Sequence, residues 1–246
     1  MCARFSLYAT PAQIAQLLEI EVPAFEPHYN IAPTQTVLGA IEREGERQLR
    51  EFRWGLIPSW AKDPAIGNRM INARSETILE KPAFRNAFQR RRCVIPANGF
   101  FEWKHDVVEE EVKPPSSGVP SLFDEFGIPK RKTRTKTLKQ PFFVSLKSGE
   151  PFALAGLYEY WHGAGEKVRS CTILTTRPNE LVEPLHDRMP VILRKADLEA
   201  WLDCEDGIEP AEALLEPLPA SEMMAVPVSS LVNDPNNDVP EVLARI

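Results

Sequence analysis

No stretch of the 246-residue sequence is apolar for the roughly 20 residues that a membrane-spanning helix requires. The opening residues also lack the basic segment and apolar core of a secretory signal. A soluble, cytoplasmic protein is therefore expected. Cysteine is scarce: Cys2, Cys93, Cys171 and Cys204 are widely scattered and form no C-x-x-C pair. That spacing indicates neither a disulfide framework nor a zinc ribbon, and points to reduced thiols. No internal repeat recurs, which excludes a solenoid. Positive charge is not in excess either, because the formal net charge is −6. As an average this speaks against nucleic-acid binding, but what decides binding is whether Lys and Arg gather on one face.

What the chain does have is 43% hydrophobic residues, enough at this length for a substantial core in one large domain or two small ones. Basic residues cluster at Arg90-Arg91-Arg92 and over residues 130–136, runs that are more often solvated surface than binding patch. Thr10-Pro11-Ala12-Gln13 reads as a helix start with a capping box, and Ile14, Leu17 and Leu18 supply its apolar face. Strands are expected over Val37–Ile41 and Leu49–Trp54, joined by a turn at Glu44-Gly45-Glu46. Ser75 is a candidate cap for a following helix, and Pro82 begins another with Phe84, Ala87 and Phe88 facing inward. Cys93–Trp103, Pro141–Leu146, Phe152–Tyr158, Val168–Thr175 and Ala225–Leu231 read as strands. Helical patterns recur near Asn179–Leu185, Ala196–Leu202 and Pro210–Leu215. Between about 104 and 140 the composition turns polar and Pro-rich, so a mobile excursion between adjacent strands is expected there. Several short strands with tight connections suggest an antiparallel sheet curled into a barrel-like core.

The chain opens Met1-Cys2-Ala3-Arg4-Phe5. Cysteine is small enough that an initiator methionine is normally trimmed from in front of it, leaving Cys2 with both a thiol and a free α-amine. With ordinary pKa values of about 8.5 for the thiol and about 7.7 to 8.0 for the amine, part of each is nucleophilic near neutral pH. The alternative is an arbitrary small residue on a frayed end.

The blocks Met-Cys-x-Arg-Phe, Tyr29-Asn30-Ile31-Ala32-Pro33, Trp54-Gly55-Leu56-Ile57-Pro58-Ser59-Trp60, Asn72-Ala73-Arg74-Ser75-Glu76-Thr77, Gly99-Phe100-Phe101-Glu102-Trp103 and His186-Asp187-Arg188-Met189-Pro190 stand in this order along the chain. Together they resemble the SOS response-associated peptidase (SRAP) family. The resemblance implies a single domain over 1–246, an α+β fold with a β-rich antiparallel barrel-like core and peripheral helices, and a monomer. It further implies that the partner is single-stranded DNA containing abasic sites, with no metal, no organic cofactor and no membrane, in a cytoplasmic protein that joins the nucleoid when bound. Cys2 is then the nucleophile that links the protein to the DNA. Glu102 moves protons, His186 assists at the sugar or at the leaving hydroxyl, and Asn72 fixes the Cys2 terminus or the sugar. Arg4, Arg74 and Arg188 are assigned to phosphates, with burial in an ion pair as the alternative for Arg4; Trp60 is assigned to an unpaired base, with a place in the core as its alternative, and Asn30 and Thr175 to the pocket.

The chemistry of the residues agrees. An amine attacks the open-chain aldehyde of an abasic site to give a Schiff base, and the adjacent thiol closes a thiazolidine on the same carbon. Position 3 departs from the family, carrying Ala where glycine is frequent. Two other readings stay open: a thiol peptidase acting through Cys2, which would make the protein a hydrolase rather than lyase-like, and a non-covalent single-strand binder. Cys93, Cys171 and Cys204 read as small buried apolar residues.

Overall fold

The computed structural model describes residues 2–111, 133–163, 165–205 and 207–246. The strands are β1 (Phe5–Leu7), β2 (His28–Ile31), β3 (Thr36–Arg43), β4 (Glu46–Trp54), β5 (Asn72–Arg74), β6 (Arg92–Ala97), β7 (Gly99–Glu111), β8 (Thr133–Leu146), β9 (Phe152–Gly163), β10 (Glu166–Thr176), β11 (Met189–Pro190), β12 (Ile192–Leu193) and β13 (Met223–Pro227). The helices are α1 (Pro11–Leu18), α2 (Pro82–Arg90), α3 (Leu198–Leu202) and α4 (Glu209–Glu212). None of the described helices is long and apolar enough to cross a membrane.

The strands divide into two sheets. In the larger, β10, β4, β3, β6 and β9 pair in that order and β9 pairs back onto β10, closing a ring. Closure removes the free edges that an open sheet exposes. The barrel-like core expected from the short strands is thus present. It is not wholly antiparallel: β10 runs parallel to β4, with Ser170 opposite Arg53, and to β5, with Thr175 opposite Arg74. The second sheet has the order β13-β8-β7-β1-β2.

Side-chain alternation along β7 connects the two layers. Phe100 packs into the main core, whereas Phe101 joins Phe143, Val228, Val232 and Val242 in a smaller apolar cluster under the C-terminal segment. Glu102, two positions after Phe100, returns to the main-core side.

Local chemistry accounts for most elements. Thr10 Oγ1 accepts from Gln13 N at 3.3 Å while Gln13 Oε1 accepts from Thr10 N at 3.0 Å, so the capping box starts α1, and Ile14, Leu17 and Leu18 are buried. Glu44 and Gly45 have φ of 57° and 75°, the left-handed pair that a two-residue hairpin loop requires. Pro82 occupies the first turn of α2, with Ala87 and Phe88 buried.

Four expectations are corrected. Ser75 caps nothing through its side chain, because it lies inside a single 3-10 turn over Ser75–Thr77. Residues 179–185 form overlapping turns rather than a helix. There Asn179 Oδ1 takes the Leu181 and Val182 amides at 3.1 and 3.0 Å, and Pro184 has no N–H to extend the ladder. The last strand stops at Pro227, since Ser230–Asn233 turn into a 3-10 helix. Finally, the polar excursion is in part a ribbon: β7 and β8 stay paired from Lys104↔Gln140 to Glu111↔Thr133. Residues 112–132 of that excursion, and the side chains of the basic run at 130–136, lie outside the described residues.

Candidate active site and nucleic-acid interface

Cys2 is brought to its place by strand pairing. β1 is antiparallel to β7, with Phe5 opposite Phe100 and Ser6 opposite Gly99. The pairing continues outward, Phe101 N donating to Arg4 O at 2.9 Å. The chain just before β1 therefore runs alongside Glu102. Cys2 is fully buried, and Glu102 is only 2% exposed. Burial pushes the Cys2 thiol well above its ordinary range, and the nearby Glu102 adds to the rise. The Arg4 backbone amide, hydrogen-bonded to the thiol, acts in the opposite sense. Burial likewise raises the Glu102 carboxyl to about 8, against the positive charge of the chain's amino terminus and with the negative charge of Asp187 adding to the rise. Of the aromatic residues around Glu102 in sequence, Phe101 and Trp103 pack in or against the outer cluster, whereas Phe100 lies in the main core.

Asp187 connects this pair to His186. Its Oδ1 lies 2.8 Å from His186 Nδ1, and the Arg188 amide donates to the same nitrogen at 3.0 Å. Nδ1 is thus held between an amide donor and a carboxylate oxygen, which fixes the orientation of the ring. Burial lowers the His186 pKa, while the charge of Asp187 acts in the opposite sense. The turns at 179–185 deliver this histidine, His186 N closing the last of them on Val182 O at 2.9 Å.

A second group gathers around the end of β10. Asn72 pairs with Ile173 and Arg74 with Thr175 across the parallel seam, and Thr175 pairs with Pro190 on the other side. Asn72, Arg74 and Trp60 line one cleft of about 420 Å³, together with Met70, Thr77, Lys81 and Phe84. Trp60 is 61% exposed, which rules out a place in the core. Its loop is fixed from beneath by Ile57 N donating to Ser170 Oγ at 2.8 Å and Trp161 Nε1 donating to Ala61 O at 2.7 Å. Trp54 ties the two groups together: its ring meets Phe5 edge-on at 5.1 Å, and its Nε1 donates to Ile71 O at 2.9 Å, the residue before Asn72.

The arginines divide by environment. Arg74 is exposed and has no side-chain hydrogen bond or ion pair among the described residues. Arg188 instead grips Glu76 with two bonds of 2.5 and 2.8 Å and donates to Thr175 O. Arg4 turns inward, Nη1 donating to Asn30 Oδ1 at 2.8 Å and to Val232 O at 2.9 Å. Asn30 is fully buried, and its amide is shared among the carbonyls of Val232, Asp234 and Asn237. Two buried polar atoms, Asn72 Oδ1 and Thr175 Oγ1, have no hydrogen-bond partner among the described residues. Of the remaining thiols Cys93 and Cys171 are fully buried, whereas Cys204 is half-buried.

Glu76 and Asp187 were not singled out from the sequence, although both stand inside quoted blocks. The available signal was charge complementarity, an acid within each block that also holds an arginine. Asp238 had none: it accepts from the amides of Tyr29 and Asn30, some two hundred positions earlier, at 2.5 and 2.9 Å.

Comparison with known proteins follows the same residues. A family model described as SOS response associated peptidase (SRAP) matches residues 1–117 and 123–235. The abasic site processing protein YoqW of Bacillus subtilis (strain 168) is 42% identical over 249 residues, covering 99% of both chains. The abasic site processing protein HMCES of Gallus gallus is 30% identical over 237 residues, covering 90% of this chain and 67% of that one. Among solved structures, a protein from Bacteroides thetaiotaomicron superposes with a TM-score of 0.75 at 26% identity, both chains covered in full.

Proposed function

The chain belongs to the SOS response associated peptidase (SRAP) family, and from that premise we propose that it processes abasic sites in single-stranded DNA by forming a covalent thiazolidine through Cys2 after Met1 is removed. The observation that carries this reading is the buried pairing of Cys2 with Glu102, whose carboxyl burial raises to about 8.

At neutral pH such a carboxyl is mostly protonated, and the Cys2 thiol beside it keeps its proton as well. The pair is therefore neutral at rest, the state that a dry site favours. The freed α-amine of Cys2 adds to the sugar aldehyde carbon. The carbinolamine hydroxyl takes a proton from Glu102 and leaves as water, giving the protonated Schiff base. Glu102, now a carboxylate, receives the thiol proton as sulfur adds to the imine carbon. The electron pair of the C=N bond returns to nitrogen, and the products are one thiazolidine and one water. The carbon is again tetrahedral, so it no longer draws electrons from the neighbouring sugar carbon and strand cleavage by β-elimination is suppressed.

His186 supplies a hydrogen bond to the sugar oxygen or to the departing hydroxyl. The unpartnered Asn72 Oδ1 and Thr175 Oγ1 offer hydrogen bonds to the opened sugar. Arg74 takes a phosphate and Trp60 an unpaired base. Arg188 and Arg4, committed to Glu76 and to Asn30, act by holding Thr175 and the Cys2 strand, and Asn30 by holding Arg4. The reaction is covalent attachment with lyase-like imine chemistry, and the protein works in the cytoplasm as a monomer.

The test is a single-stranded oligonucleotide with one abasic site, incubated with the protein and run on a denaturing gel. A heat-stable shifted band is expected. It should be lost in Cys2→Ala and become weaker or labile in Cys2→Ser, whose hydroxyl closes the ring poorly. Mass spectrometry of active protein that shows Met1 retained or the terminus blocked would overturn the reading. Cleavage of a peptide substrate by the wild type, lost in Cys2→Ala, would assign the thiol to proteolysis instead.

A further inference from the structure

The two strands that carry Cys2 and Glu102 are tied by side chains to one distant segment, residues 229–238. Arg4, two positions after Cys2, donates to Val232 O at 2.9 Å. Trp103, immediately after Glu102, donates from Nε1 to Asn233 Oδ1 at 2.7 Å. The segment itself is pinned from below by the Asn30 amide on three of its carbonyls. At its end Asp238 accepts from Tyr29 N and Asn30 N and lies 2.6 Å from His28 Nδ1. Val232 adds an apolar anchor, packed with Phe101 and Phe143 on the outer face of the second sheet.

From this we infer that residues 229–238 form a clamp that positions the Cys2 strand against Glu102, with Arg4, Asn30, Trp103 and Asn233 as its positioning residues. The register between β1 and β7 is short, with only Phe5↔Phe100 and Ser6↔Gly99 in regular pairing. Outward of that pairing, Phe101 N donates to Arg4 O at 2.9 Å, and Cys2 beyond it packs in the main core. The clamp adds a restraint from outside the sheet: consecutive residues, Val232 and Asn233, hold one strand each. A displacement of the loop therefore changes the spacing between thiol and carboxyl without touching either group. None of these residues faces the cleft at Trp60, so DNA contact and nucleophile placement are separable.

The consequence for catalysis rests on the abasic-site reading, but the clamp can be tested without DNA. Asn233 is exposed, so Asn233→Ala removes the acceptor without opening the core, and Trp103→Phe removes the donor while keeping a ring. In the full-length protein, iodoacetamide labelling is followed at each cysteine by peptide mass spectrometry. In both variants Cys2 should label about tenfold faster than in wild type, the effect of one lost hydrogen bond. Cys93 and Cys171, both fully buried, should label as before and so report any global unfolding. Asn233→Asp, which keeps an acceptor, should restore the wild-type rate. In a parallel arm, the rate of adduct formation at saturating abasic oligonucleotide should fall about tenfold, with affinity for undamaged single strands changed less than about twofold. Unchanged Cys2 labelling, or labelling of all three buried thiols rising together, would overturn the clamp. A wild-type protein that forms no adduct would overturn the proposed function, while the labelling arm would still decide the clamp.

Discussion

A carboxyl group that keeps its proton at pH 7 performs different chemistry from one that has lost it, and Glu102 is of the first kind because burial removes it from water. As an acid it must be protonated, a condition lost as pH rises through about 8. The α-amine of Cys2 must be unprotonated, a condition gained as pH rises through its ordinary value of about 7.7 to 8.0. The two requirements oppose one another, so the rate of adduct formation should pass through a maximum near pH 8 and fall on both sides. Glu102→Gln should slow the reaction by about a hundredfold or more and abolish the alkaline fall, since an amide has no proton to lose there. Single-turnover rates on abasic oligonucleotide from pH 5 to 10 would show this, and an alkaline limb that survives in the variant would deny Glu102 its role. Arginine can be judged at the same scale by what already occupies its fork. Arg74 is exposed, whereas Arg188 is held by Glu76 at 2.5 and 2.8 Å. Arg74→Ala should therefore reduce the salt dependence of single-strand binding by about 0.7 in slope, the contribution of one phosphate. Arg188→Ala should leave that slope in place, and equal slopes for the two variants would reverse the assignment.

Among the elements, the loop from Gly55 to Met70 shows how backbone geometry sets a binding surface. Gly55 has φ of +127°, and a Cβ built there would stand 2.5 Å from Gly67 O. The two glycines let the ends of the loop touch, which raises Trp60 at its crest. Gly55→Ala meets both strain and collision, and should cost roughly 2 to 3 kcal/mol. Gly149→Ala, at φ +77° with open space around the new Cβ, meets strain alone and should cost less, roughly 1 kcal/mol. Thermal unfolding of the two variants measures the difference, and the Gly55 variant alone should also weaken single-strand binding. This contrast marks what was legible in the sequence. The capping box at Thr10, the Glu44-Gly45 hairpin and the Pro82 helix start are written in local chemistry, and each was readable there. The parallel seam of β10 with β4 and β5 was not, because its partners lie about a hundred residues apart and no local pattern encodes direction. The turns at 179–185 misled for a related reason: apolar spacing suggests a helix, but the Asn179 side chain takes two amides that the helix would use. At the site, the motif blocks identified Cys2, Asn72, Glu102 and His186 as residues to watch. The inward orientation of Arg4 and the commitment of Arg188 to Glu76 depend on partners that sequence order does not reveal.

At the scale of the whole molecule, one structural unit stands apart from the rest. The ring of β3, β4, β6, β9 and β10 and the inner face of the second sheet enclose the main core, and both groups of candidate site residues border it. The outer part of the β7–β8 ribbon does not: Val107 is 69% exposed and Leu138 is 45% exposed. A two-stranded ribbon by itself is only marginally stable in water, so the paired strands draw order from the sheet they extend. Its removal should then spare both the fold and the chemistry. The register gives a place to cut, since His105 faces Lys139 and an Asn-Gly turn can join them in place of residues 106–138. His105, close enough to His186 to influence its charge, is kept. The shortened protein should unfold within a few degrees of the full chain, because no core residue among the described residues lies within 106–138. Its rate of adduct formation at saturating abasic oligonucleotide should match as well. The basic residues at 130–136 go with the excised segment, so any loss should appear in affinity and its salt dependence rather than in the saturated rate. A collapse of the saturated rate in a protein that still unfolds cooperatively would mean that the ribbon closes over the abasic sugar, and would move it from appendage to part of the active site.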